Sequence, residues 1–156
     1  LLPETVQALC RDVDNIVGAK DSSGDTENLK AYIRLTRELE KDVRIFAGKD
    51  DAILTCLQEG GAGGIAGRTN IWPRTVTRIY DCYMAGDLAG AQAAQDAVVG
   101  LQRAYKYGSP HVIIKTAVAL QGYPVGSCRA PFNEVPEEGL AEIRKVLAEN
   151  AAKGLD

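Results

Sequence analysis

The sequence predicts an α/β fold: the C-terminal part of a (β/α)8 TIM barrel with about three strands, followed by three extra C-terminal helices. Three observations lead to this expectation. Short apolar runs alternate with amphipathic stretches of helical period, the pattern of βαβ units whose strands pair in parallel beneath helices. From Leu88 onward the strand-like runs stop. A closed barrel needs eight strands and about 250 residues, whereas these 156 residues supply three strands and start abruptly at Leu1, as if cut from something longer. The expected organisation is residues 1–87 as the last three barrel strands with their helices, and 88–156 as a helical extension.

Each element has a local reason. Pro3 to Arg11 places Val6, Leu9 and Cys10 on one side of a short helix, with Pro3 at a favoured first position. Asn15 opens Ile16-Val17-Gly18-Ala19-Lys20, an apolar run expected as a strand buried on both faces. Leu29, Tyr32, Ile33, Leu35 and Leu39 recur at helical spacing between Asp25 and Lys41, with Asp25 as the cap. Val43 to Ala47 is a second strand ending at Gly48, Ala52 to Gln58 a helix stopping at Gly60-Gly61, and Gly64 to Gly67 a third strand. Trp72 to Met84, Leu88 to Tyr105, Val112 to Gln121 and Glu137 to Lys153 read as helices.

Composition removes several function classes. Eighteen Lys+Arg against twenty-one Asp+Glu give a net charge of -3 without like-charge blocks, so neither nucleic acid nor an anionic membrane surface is expected as a partner. The longest apolar runs fall well short of the roughly 20 residues that cross a bilayer. Cys10, Cys56, Cys82 and Cys128 form no Cys-x-x-Cys pair, and in a chain able to build its own core they read as reduced, cytoplasmic core residues. His111 is the single histidine, which leaves no His-rich zinc site and one residue for any Ser-His-Asp triad.

In parallel α/β folds the reacting groups gather at the C-terminal ends of strands. Three such ends occur here: Lys20 to Asp25, Gly48 to Asp51, and Ala66 to Asn70. Lys20 ends an apolar strand, so its amine is expected to be desolvated at the barrel mouth, where a neutral amine can attack a ketone to form a Schiff base. The residue pattern leaves a second reading open, a lysine that reaches solvent or pairs with Asp21. Gly61, Gly63 and Ala66 fit G-x-G-x-x-[GA], but these glycines lead into a strand instead of leaving one, so close packing or close approach to a ligand explains them better than a dinucleotide. Asp50 and Asp51 read as a helix cap and a first-turn acid, since sequence neighbours usually diverge. Tyr80, Tyr83 and Tyr105 fall on helices after the last strand and are expected to pack.

The residues Asn15-Ile16-Val17-Gly18-Ala19-Lys20-Asp21-Ser22-Ser23-Gly24-Asp25 resemble the Schiff-base strand of the dihydrodipicolinate synthase and N-acetylneuraminate lyase family, the pyruvate-dependent class I aldolases. The resemblance runs in order through Leu2 to Val6, Phe46 to Asp50, Gly60 to Asn70 and Cys128 to Phe132. It implies a homotetrameric or dimeric barrel in which Lys20 condenses with pyruvate or another 2-oxo acid. Gly48 and Ile65 match positions whose backbone lines the pocket around that adduct. The resemblance also implies that no metal or organic cofactor takes part, because the iminium is itself the electron sink.

The family's proton-relay tyrosine, its carboxylate-binding hydroxyl pair and the segment that selects the second substrate have no counterpart in this chain. The expected function is a Schiff-base carbon-carbon lyase or synthase of the 4-hydroxy-2-oxo acid or 2-keto-3-deoxy sugar acid aldolase type. The alternative within the family is 4-hydroxy-tetrahydrodipicolinate synthase of lysine biosynthesis. Rivals from other classes are a phosphate-ligand binding module built on the glycine-rich stretch, and a non-catalytic half-barrel.

Overall fold

A computed structural model describes residues 1–132 and 134–154. Its element order begins α1 (Pro3–Asp12), β1 (Gly18–Asp21), α2 (Thr26–Arg37), β2 (Arg44–Ala47), α3 (Ile53–Gln58) and β3 (Gly63–Gly64). It continues with α4 (Pro73–Met84), α5 (Leu88–Val99), a 3-10 segment at Gly100–Tyr107, α6 (Pro110–Leu120) and α7 (Glu137–Ala152). The three strands form one parallel sheet in the order β1-β2-β3. Three strands followed by helices are the fold class expected of the sequence.

Local chemistry explains where the boundaries fall. The Asp25 carboxylate caps α2 by accepting hydrogen bonds from the Glu27 and Asn28 amides at 2.9 and 3.4 Å. That helix stops at Arg37, short of the expected Lys41, and Leu39 lies beyond its end. Lys41 instead donates to the Cys10 and Val13 carbonyls at 3.0 and 2.9 Å, at the C-terminal end of α1 where the helix carbonyls lack partners of their own. The single helix expected over Leu88 to Tyr105 is α5 followed by the 3-10 segment. Three residues per turn align Leu101 with Ala104, and both are fully buried.

Two apolar clusters hold the molecule together. Val6, Cys10, Leu29, Tyr32, Ile33, Ile45, Ala47 and Cys56 join α1, α2 and the sheet. Leu54, Trp72, Ile79, Val98, Leu101, Ile113 and Ile143 belong to the larger one, which runs continuously from the strand-bearing part into the C-terminal helices. All four cysteines are free; Cys10 and Cys56 are buried, and burial raises both thiols above their ordinary value. Among the described residues no helix is long and apolar enough to cross a membrane.

One expectation fails. The strands are not buried on both faces: Ile45 and Ala47 of β2 are buried, but Arg44 is exposed and Phe46 only half-buried, and Val17 before β1 is exposed. Helices cover one face of this sheet and the other lies open, as in a segment cut from a closed barrel. β1 and β3 are both edges, and unpaired strand edges are templates for further pairing. Expressed alone, residues 1–156 are therefore expected to self-associate or aggregate in size-exclusion chromatography. A monodisperse monomer with one cooperative melting transition would contradict this account of the open sheet.

Candidate active site

Alternation along the strands decides which side chains can meet. Lys20 is in register with Phe46, and Phe46 with Gly63. Register partners project to the same face, and so do residues two further along. Lys20, Gly48 and Ile65 therefore share the open face, while Ile45, Ala47 and Gly64 share the helix-covered one. The ladder continues past the strand ends: the Gly48 amide donates to the Asp21 carbonyl at 2.7 Å, and the Ile65 amide to the Ala47 carbonyl at 2.9 Å.

Two glycines make this close fit possible. A Cβ on Gly48 would lie 2.8 Å from the Asp21 carbonyl oxygen and collide with the Ser22 hydroxyl. On the other face, a Cβ on Gly64 would lie 2.6 Å from Cγ1 of Ile53 on α3. The glycine-rich stretch thus serves close packing of helix on strand, one of the two roles expected of it.

An open cleft of about 660 Å³ lies at these strand ends. Lys20, Ser22, Gly48 and Ile65 line it from the sheet, Lys49, Asp50, Asp51, Gly67 and Arg68 from the turns, and Gln102, Tyr105, Pro110, His111 and Ile114 from the C-terminal helical layer. All three residues singled out from the sequence meet in this one cleft. Lys20 is exposed there, contrary to the expected desolvation, because nothing in this chain covers the open face of the edge strand β1. Asp21 is not its partner. It lies on the opposite face, and its carboxylate accepts from the Ser23 amide and hydroxyl, both at 2.9 Å, closing the turn after β1.

Asp50 and Asp51 diverge as expected, but Asp50 does not cap a helix. Its carboxylate, on a residue only 8% exposed, accepts from the Arg68 backbone amide at 2.7 Å and stands 3.9 Å from the Arg68 guanidinium. Gln95 of α5 ties down the same residue, donating to the Asp50 carbonyl at 2.7 Å and accepting from the Leu54 amide at 2.9 Å. Arg68, 3% exposed, also donates to the Val98 carbonyl and to the Tyr105 hydroxyl, each at 3.1 Å. Tyr105 is thus a cleft residue as well as a packing one, a role the sequence did not reveal, because the 3-10 segment, not a continued α-helix, sets its direction. Gln102 donates to Asp51 at 2.8 Å. His111 stands edge-on to Phe132, ring centroids 5.7 Å apart.

The model of the dihydrodipicolinate synthetase family matches residues 1–150. The chain belongs to that family. Within it, 4-hydroxy-tetrahydrodipicolinate synthase of Thermoanaerobacter sp. (strain X514) is 32% identical over 148 residues, covering 95% of this chain and 49% of the relative. The probable 2-dehydro-3-deoxy-D-pentonate aldolase YjhH of Escherichia coli (strain K12) is also 32% identical, over 94% of this chain and 50% of the relative. Among solved structures, YagE, a prophage protein of the dihydrodipicolinic acid synthase family from E. coli K12 in complex with pyruvate, superposes with a TM-score of 0.89 at 25% identity, over 96% of this chain and 51% of that one. The chain spans about half the length of the curated family members it matches.

The family's strand-end architecture rests here on one buried polar joint. Asp50→Ala would leave the Arg68 amide without its acceptor and the buried guanidinium without its counter-charge, and breaking a buried charged pair typically costs about 3–5 kcal/mol. Made in the protein that carries this sequence, the variant is expected to lose roughly that much stability in urea unfolding at unchanged slope. A loss below about 1 kcal/mol, the range of an exposed pair, would show that the joint holds nothing in place.

Proposed function

We propose that this chain carries the Schiff-base half of a carbon-carbon lyase or synthase acting on pyruvate or a related 2-oxo acid, with Lys20 as the covalent residue. What supports the reading is the meeting of Lys20, Gly48 and Ile65 on one sheet face and in one cleft. The neutral Lys20 amine adds to the ketone carbon, and loss of water leaves an iminium. As the C3–C4 bond breaks, its electron pair forms a C2–C3 double bond and the C=N π pair moves onto nitrogen; the C4 hydroxyl gives its proton to water as the C4 fragment leaves as an aldehyde, and an enamine remains. Protonation of the enamine carbon and hydrolysis then release pyruvate and restore the amine. Gly48 and Ile65 border the adduct, and neither brings a charged side chain to it. No metal or organic cofactor is needed, since the iminium is the electron sink.

Between the two activities within the family, we favour cleavage of a 4-hydroxy-2-oxo acid or 2-keto-3-deoxy sugar acid. The name of the E. coli relative agrees with it. That of the Thermoanaerobacter relative favours the alternative, 4-hydroxy-tetrahydrodipicolinate synthase, at the same identity. The same proposal includes a cytoplasmic protein, in keeping with four free cysteines, a homotetramer or homodimer, and a helical extension beginning at residue 88.

Borohydride tests the covalent step. Treating the protein that carries this sequence with pyruvate and borohydride is expected to add a stable reduced adduct on Lys20, located by peptide mass spectrometry. Lys20→Arg should lose both the adduct and turnover, because a guanidinium stays protonated and forms no imine. Trapping on another lysine, or turnover well above background in Lys20→Arg, would overturn the assignment.

A further inference from the structure

We infer that Tyr105, held by Arg68, is a specificity-determining residue that donates a hydrogen bond to a hydroxyl group of the aldehyde portion of the substrate. This rests on the Schiff-base reading of the same cleft and names in this chain, which has no counterpart of the family's selecting segment, one residue that would favour a hydroxylated aldehyde over an apolar one of the same length.

Four observations carry the inference. The phenol oxygen accepts a hydrogen bond from Arg68 Nε at 3.1 Å, and among the described residues this is the one hydrogen bond the hydroxyl makes. A phenol both accepts and donates, so its proton is left for a further acceptor. Second, the hydroxyl is fixed in place. Its ring lies 5.3 Å from the Arg68 guanidinium, and that buried arginine is held by the Val98 carbonyl and Asp50. A donor held in advance loses little freedom when substrate arrives. Third, Tyr105 lines the same cleft as Lys20 and comes from the 3-10 segment of the helical layer, whereas Lys20, Gly48 and Ile65 come from the sheet. Fourth, the helical wall of the cleft also presents Gln102 and His111. A wall of hydrogen-bonding side chains suits an oxygen-bearing fragment, because leaving such groups unpaired against an apolar one carries a desolvation cost.

Tyr105→Phe removes the hydroxyl and keeps the ring beside Arg68, so the fold should persist, with a melting temperature lowered by loss of the acceptor for the buried Arg68 Nε–H. Tyr105→His, which retains a donor, serves as the second variant. In the protein that carries this sequence, aldol addition of pyruvate would be measured with glycolaldehyde and with acetaldehyde, which differ by one hydroxyl, beside borohydride trapping of pyruvate on Lys20. The parent is expected to prefer glycolaldehyde. Tyr105→Phe should lower kcat/KM for glycolaldehyde by about tenfold or more, the loss of one good hydrogen bond, while changing acetaldehyde addition less than threefold and trapping not at all. Tyr105→His should recover part of the preference. Equal losses for both aldehydes, an unchanged preference, or a parent that favours acetaldehyde would each overturn the role given to Tyr105 while leaving trapping intact. Absence of trapping in the parent would instead overturn the Schiff-base reading.

Discussion

The site depends on the parallel register of the sheet. A one-residue slip between β1 and β2 would turn Lys20 and Gly48 to opposite faces, because side chains alternate with a period of two. The register is pinned on the covered face by Ile45 and Ala47, packed among Val6, Cys10, Leu29, Tyr32 and Ile33. At the strand ends it is pinned by the Gly48 amide on the Asp21 carbonyl, an approach that only a residue without a side chain allows. The apolar face toward α1 and α2 thus determines the composition of the polar face toward the cleft.

A second set of constraints joins the strand ends to the C-terminal helices. Asp50, Arg68 and Gln95 are buried and interlocked, and they reach α5 through Val98 and the 3-10 segment through Tyr105. The helices after β3 therefore help to build the cleft instead of merely flanking it. With a core that runs without a break from Leu54 to Ile143, they form one packed body with the strands that carry Lys20 and Gly48.

The apolar run marked a strand and singled out Lys20 at its end, but the run alone also fitted a lysine that reaches solvent; the resemblance of Asn15 to Asp25 is what pointed to the covalent role we propose for it. The alternation of short strands and helices was equally plain, and Pro3 and Asp25 marked helix starts within a residue. What stayed hidden was tertiary. Asp50 looked like a cap because its partner, Arg68, lies eighteen residues away across a helix and a strand. Tyr105 looked like a packing residue because the stretch from Leu88 to Tyr105 read as one helix, whereas the winding changes from α to 3-10 at Gly100. The exposure of Lys20 could not be read from its apolar neighbours either, since local sequence does not say which strands cover a face.

The central claim is that Lys20, Gly48 and Ile65 surround one and the same ligand. A crystal structure of the protein carrying this sequence, soaked with pyruvate, tests this directly. The account predicts continuous electron density from Lys20 Nζ to the central carbon of a three-carbon ligand, with Gly48 and Ile65 bordering the ligand. Pyruvate bound through Lys49, or seated away from these strand ends with Lys20 unmodified, would contradict it.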